Sequence, residues 1–190
     1  MPETPDALWE RTHGDLRTPP VEEWHQWPFT GHIEPRELLP PVAEEAPRAG
    51  AGGVGCWRCE HGLEGALWHD ENWLVHPVSA PGGLPCVVLL ETRRHLDFPE
   101  LDDELAAELG PLMLRVERAV RAIDGIARVH IGRWGEGSEH FHLWFLARPA
   151  GFPQLASSFA EIWDGVLPPT PDEIWRANLE IVARELNRGV

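Results

Sequence analysis

The chain is 190 residues long, 43% hydrophobic and 25% charged, which is enough for one substantial core and short for two ordinary enzyme domains. Its formal charge of -15, from 16 Lys plus Arg against 31 Asp plus Glu with every one of the 16 an arginine, repels nucleic-acid backbones and anionic membranes, so neither is an expected partner. No apolar run approaches the roughly 18 to 20 residues that cross a bilayer, and the acidic, Pro-rich start carries no signal-peptide pattern, so the cytoplasm is the expected compartment.

Residues 1 to 55 read as a Pro/Gly-rich arm, with Pro19-Pro20, the acidic pair Glu22-Glu23, Pro40-Pro41 and a Gly-rich stretch from Gly50 to Gly55. Trp24, Trp27 and Phe29 make it less polar than a disordered tail, and part of it is expected to lie in a groove of its own domain or of a partner subunit. From Cys56 onward the pattern is that of a folded domain. Residues 66 to 69 and 72 to 76 read as two short strands around a turn at Asp70-Glu71, and Cys86 to Leu90 is a strongly apolar strand.

Asp102 is placed to cap a helix running to about Ile123, with Leu105, Leu109, Leu112, Val116 and Val120 on one stripe. Pro111 predicts a bend or interruption near Gly110. Arg128 to Ile131 is a further strand, followed by a loop from Gly132 to Gly137. Residues 139 to 147 alternate, with His140, His142, Trp144 and Leu146 on one strand face and Phe141, Leu143, Phe145 and Ala147 on the other. Two helices are expected after Pro149, over 152 to 166 and from about Pro171 to Asn187. Strands alternating with long helices argue for an α+β fold.

Two local patterns carry chemistry. A neutral imidazole can direct one nitrogen lone pair at phosphorus while its other nitrogen is held as a donor, and His142, flanked on its face by His140 and Trp144, is the candidate. An isolated pair of alternating histidines more often reads as two satisfied structural residues. The Cys56-Trp57-Arg58-Cys59 spacing suits a tetrahedral metal ion, a redox pair or two unpaired thiols, with His61 as a local third ligand; Cys86 belongs to the apolar strand. Small residues at Gly135, Gly137 and Ser138 let a backbone approach a phosphate, or make an ordinary turn.

Residues 132 to 148, GRWGEGSEHFHLWFLAR, resemble the signature of the histidine-triad (HIT) superfamily: a glycine-bearing loop, histidines at alternating strand positions, an apolar pair and an arginine. The resemblance extends over residues 56 to 148 through the CxxC, the paired strands, Arg94-His95 and the long helix. It implies a HIT-like domain with an antiparallel sheet packed by a long helix, extended by C-terminal helices over 149 to 190. It implies hydrolysis or nucleotidyl transfer at an α-phosphate through a nucleotidyl-histidine on His142, with phosphate oxygens held by Gly135, Gly137 and Ser138. A catalytically degenerate nucleotide-binding or interaction module is the alternative.

Trp144 stands at the third triad position, where the galactose-1-phosphate uridylyltransferase branch has glutamine, and indole cannot shuttle a proton near neutral pH. Glu136 replaces a loop glutamine, the ribose-binding Asp or Asn has no equivalent around His76-Pro77, and the Gly-His before the third strand becomes Gly83-Leu84. In the zinc-bearing branches the two cysteines are joined by histidines at the positions of His95 and His140, which implies a structural Zn2+ held by Cys56, Cys59, His95 and His140. The resemblance also makes a homodimer an expected assembly and a nucleotide or other phosphorylated small molecule the expected partner.

Overall fold

A computed structural model describes residues 3–14, 16, 23–156 and 158–188; Pro19, Pro20 and Glu22 lie outside them. Two compact units divide the chain between Pro47 and Arg48. In the first, helix α1 (Pro5–Thr12) is capped by Thr4, whose side-chain oxygen accepts from the Ala7 N–H. The Trp9 indole donates to the Leu38 carbonyl at 3.0 Å and stacks on His13.

The second unit is α+β. Strands β1 (Trp68–His69), β2 (Trp73–Pro77), β3 (Val87–Thr92), β4 (Ile126–Gly132) and β5 (His142–Pro149) form one antiparallel sheet in the order β1-β2-β3-β5-β4. The pairs His76↔Leu89↔Trp144 and Leu74↔Glu91↔His142 set one face of the sheet. Alternation sends Trp73, Val75, Val88, Leu90, Leu143, Phe145 and Ala147 to the other. That apolar face packs against Leu105, Leu112, Val116 and Val120 of helix α3 (Asp103–Arg121) and Leu179, Val182 and Leu186 of helix α5 (Asp172–Leu186). Polar ties fix the layers: the Trp73 indole donates to Glu108 at 2.6 Å, Arg115 donates to the Leu186 carbonyl, and Asn178 donates to the Pro85 carbonyl at 2.9 Å.

Helix α3 begins as its sequence dictates, with the Asp102 carboxylate accepting from the Leu105 N–H at 2.9 Å. It runs through Gly110 and Pro111 without the interruption that is one of the two outcomes expected there. Pro111 sits on the exposed side together with Ala107, whose carbonyl loses its helical donor but faces water. Helix α4 (Phe159–Val166) is shorter than the expected 152 to 166. Pro153 disfavours helical backbone at Phe152, whose carbonyl accepts from the Leu155 N–H in a turn, and Leu155 packs in a second apolar cluster with Leu84, Val87 and Leu146. Regular pairing of β5 starts at His142, not at residue 139, because residues 138 to 141 bond elsewhere: the Glu139 N–H donates to Ala49 and the Phe141 N–H to Leu96. No helix among the described residues is long and apolar enough to cross a membrane.

The α4 region is joined to the loop before β3 by one carboxylate. Asp164 accepts from the Leu84 N–H at 2.7 Å, its own carbonyl accepts from Gly83, and a Cβ at Gly82 or Gly83 would lie 2.4 Å from Asp164 or Leu167. These glycines are required for the approach. Asp164→Ala is expected to lower the unfolding free energy by about 1.5–3 kcal/mol, the usual range for a hydrogen bond to a charged group. Urea unfolding checks it, and an unchanged midpoint would show that the loop is held by packing alone.

Candidate metal centre and histidine site

Helix α2 (Trp57–His61) begins directly after Cys56, and Gly50 lets the preceding turn close onto it: at φ 76° a Cβ there would lie 3.1 Å from the Cys56 Cβ. Cys56 and Cys59 face His95, which follows β3, and His140, which precedes β5. The four ligand atoms lie within 4.8 Å of one another. Cys56 Sγ is 3.3 Å and Cys59 Sγ 3.7 Å from His140 Nδ1, and Cys59 Sγ is 3.5 Å from His95 Nδ1. A tetrahedral ion with metal–sulfur bonds of about 2.3 Å and metal–nitrogen bonds of about 2.05 Å separates sulfur from nitrogen by about 3.5 Å. The cluster is already spaced for one.

The surroundings prepare the donors. His140 Nε2 donates to the Thr92 carbonyl at 2.7 Å, which leaves the Nδ1 lone pair directed at the sulfurs. His95 Nε2 lies 3.7 Å from Glu139 Oε1. Burial pushes the Cys59 thiol up to about 11, with the neighbouring Cys56 thiol adding to the rise. His61 is not in the cluster; its Nδ1 donates to the Trp57 carbonyl at 2.8 Å and its ring stacks on Trp57. Cys86 is fully buried, its thiol pushed up to about 12 by burial.

His142 stands two residues beyond the cluster, on the polar face of the sheet. Its Nδ1 lies 2.8 Å from the His140 carbonyl and its Nε2 3.0 Å from the Trp134 carbonyl. Neutral imidazole has one N–H, so it donates to one of these two oxygens and turns a lone pair toward the other. The ring of Trp134 lies over Gly132, where a Cβ would be 2.4 Å from it, and meets Trp144 edge to face with centroids 6.3 Å apart.

The loop holding Trp134 is fastened by arginines. Arg48 donates to the Gly135 carbonyl at 3.0 Å and to Asp97 at 2.7 Å, while Arg133 donates to the other Asp97 oxygen at 2.8 Å. Burial pushes the Asp97 carboxyl up, but Arg48, the Phe98 N–H and Arg133 outweigh it and hold it below the usual range. Of the expected phosphate-binding residues, Ser138 Oγ is 3.3 Å from the His140 N–H, the Gly137 carbonyl accepts from Ala49, and Gly135 is engaged by Arg48. Glu136 is exposed. Arg94 makes an exposed ion pair, 3.6 Å from Asp102, and Arg93 donates to the Asp70 and Glu71 carbonyls.

The sequence reading missed one pair on the same face. Arg58, inside the CxxC, donates through Nε to Glu91 Oε2 at 2.7 Å, and both are buried, at 4% and 7% exposure. Glu91 is the cross-strand partner of His142. Burial raises its carboxyl, against the pull of Arg58. The available signal was a carboxylate closing an otherwise apolar strand.

No protein-family model matches the sequence, and no curated protein matches it significantly. Solved structures do match. A histidine triad protein from Bradyrhizobium japonicum superposes with a TM-score of 0.51 at 20% identity over 64% of this chain and 89% of its own. One from Marinobacter aquaeolei does so at 0.51 and 19%, over 67% and 92%, and one from Sinorhizobium meliloti at 0.51 and 18%, over 63% and 87%. The fold is therefore HIT-like, and within it the chain carries a Cys2His2 cluster suited to a metal ion.

Burial lowers the pKa of His140 and of His76 below 6.5. The unfolded chain therefore takes up protons first as pH falls, so stability is complete above the ordinary histidine value and is lost as pH drops through it toward the folded values. Melting temperature is expected to fall between about pH 7 and pH 5. Since His76 is not in the cluster, His76→Gln should flatten that slope at constant metal content; an identical slope would assign the whole dependence to the cluster.

Proposed function

We propose that the chain is a nucleotide or nucleotide-conjugate hydrolase or nucleotidyltransferase in which His142 attacks an α-phosphate. The observation that supports this reading is the 2.8 Å contact of His142 Nδ1 with the His140 carbonyl: with the N–H donated there, Nε2 carries the lone pair. The Nε2 lone pair forms the bond to phosphorus as the bond to the leaving group breaks. Water or an acceptor phosphate then takes the phosphoryl centre and releases the histidine, water giving up a proton in the process. Phosphate entry displaces the Trp134 carbonyl from Nε2, and the Gly135 to Ser138 segment lines the oxygens. Trp144 supplies no proton to the departing group, so good leaving groups or acids carried by the substrate are favoured.

Cys56, Cys59, His95 and His140 would hold a zinc ion whose four positions are all filled by protein, which gives it a structural role: it ties the α2 turn to the start of β5. Purified protein is expected to carry about one zinc per chain. Cys59→Ser should lose the metal and lower the melting temperature by more than about 10 °C, because metal binding is linked to folding. Elemental analysis of metal-replete protein with no zinc would reject the assignment.

A second reading, a nucleotide-binding module without turnover, draws on the Trp134 carbonyl against Nε2 and the indole at position 144. Rapid-quench screening of α-phosphate-labelled ADP-sugars, nucleoside phosphoramidates and dinucleoside polyphosphates separates the two. Acid-labile label on His142, absent in His142→Asn, together with at least about a 1000-fold loss of turnover, is expected for a covalent nucleophile. Turnover by His142→Asn at an unchanged rate would overturn the nucleophile assignment. Binding without label from any substrate favours the module.

A further inference from the structure

Beside His142 the polar face of the sheet opens into a cavity of about 350 Å³, bounded by Trp57, Arg58, His76, Leu89, Glu91 and Trp144. That volume is within the range of small-molecule sites. Its polar floor is incomplete. Nε and Nη2 of a guanidinium share one edge, which normally meets both oxygens of a carboxylate. Here only Nε is used, on Glu91 Oε2 at 2.7 Å, while Nη1 donates to the Gly62 carbonyl at 2.8 Å. Nη2 is buried with no partner, and Glu91 Oε1 has no hydrogen-bond partner among the described residues. The single-armed pair leaves one buried donor unmet, at a cost of about 1–3 kcal/mol, and one acceptor open on the same edge.

We infer that Arg58 and Glu91 are specificity-determining residues that read a planar heterocycle presenting a hydrogen-bond donor beside an acceptor, as a nucleobase does on its pairing edge. The acceptor on the ligand meets Nη2 and the donor meets Oε1. The pair has no net charge, so it selects a neutral edge over an ion, and the indoles of Trp57 and Trp144 with Leu89 offer flat apolar walls for a ring. Glu91 faces His142 across the β3–β5 pair, so a ring in the cavity leaves the phosphate end of the same molecule toward the imidazole. This assignment rests on the reading of His142 as the reacting group, and it names what the neighbouring cavity holds.

The test is a tryptophan-fluorescence titration of the full chain with AMP, GMP, CMP, UMP and ribose 5-phosphate, for wild type and Glu91→Gln. Wild type should bind its preferred nucleotide at least about 10-fold tighter than ribose 5-phosphate, the ratio expected for about one net hydrogen bond to a charged group. Glu91→Gln exchanges one acceptor for a donor and should change the order among the four bases. Should that variant fail to fold, wild type alone decides, since the preferred nucleotide methylated on its pairing-edge nitrogen should bind about 10-fold more weakly than the parent. Ribose 5-phosphate binding as tightly as the nucleotides, a uniform change across all four bases in Glu91→Gln, or equal binding of the methylated analogue would overturn the inference. Label on His142 with base-blind binding removes only the cavity assignment, whereas base-ordered binding without label removes the nucleophile and leaves this pair in place.

Discussion

His140 is the residue on which the site depends, because its polar groups act in three directions. Nδ1 faces the two sulfurs, Nε2 donates to the Thr92 carbonyl at the end of β3, and its backbone carbonyl lies 2.8 Å from His142 Nδ1. The cysteine–histidine cluster and the candidate nucleophile therefore share one residue as their support.

For an acidic chain to hold phosphate, as proposed above, it must cancel its own field locally. The arginines are arranged for that. Asp97 accepts from Arg48, Arg133 and the Phe98 N–H, and one oxygen of Glu91 accepts from Arg58, so both carboxylates have their charge compensated within the site. In each pair the cation is tied to another part of the site: Arg48 also holds Gly135, and Arg58 lies within the cysteine turn. Local charge neutralisation and loop positioning come from the same contacts.

Much of this was legible in the residues. The alternation in residues 141 to 147, the Asp102 cap and the Leu105 to Val120 stripe define the sheet and helix that bury each other, and His140, Cys56, Cys59 and His95 do converge. What escaped was long-range. Glu91 and Arg58 are separated by 33 positions, and neither signals a partner in a local pattern; their pairing follows from α2 docking over β3. The contact of Trp134 with His142 depends on how Arg48 and Arg133 hold the loop, which local spacing does not encode. Local rules also erred where tertiary packing overrode them, at the uninterrupted α3 and at Phe152, where burial of Leu155 replaced a helical turn.

The indole at position 144 has a physical reason that connects the C-terminal addition to the chemistry. Trp144 is half-buried against the cluster of Leu84, Val87, Leu146 and Leu155, the apolar patch roofed by Trp163 and Leu167 around α4. An imidazole in that position would place a polar, titratable ring against apolar side chains and would bury less apolar surface. Covering this end of the polar face with α4, anchored through Asp164 on the Gly83-Leu84 loop, thus favours an indole where the triad pattern has a proton donor. The two departures at Gly83-Leu84 and Trp144, separate in the sequence, are then one structural change: an added helix occupies the end of the sheet, and the residue beneath it serves as its packing surface and as a wall of the cavity beside His142.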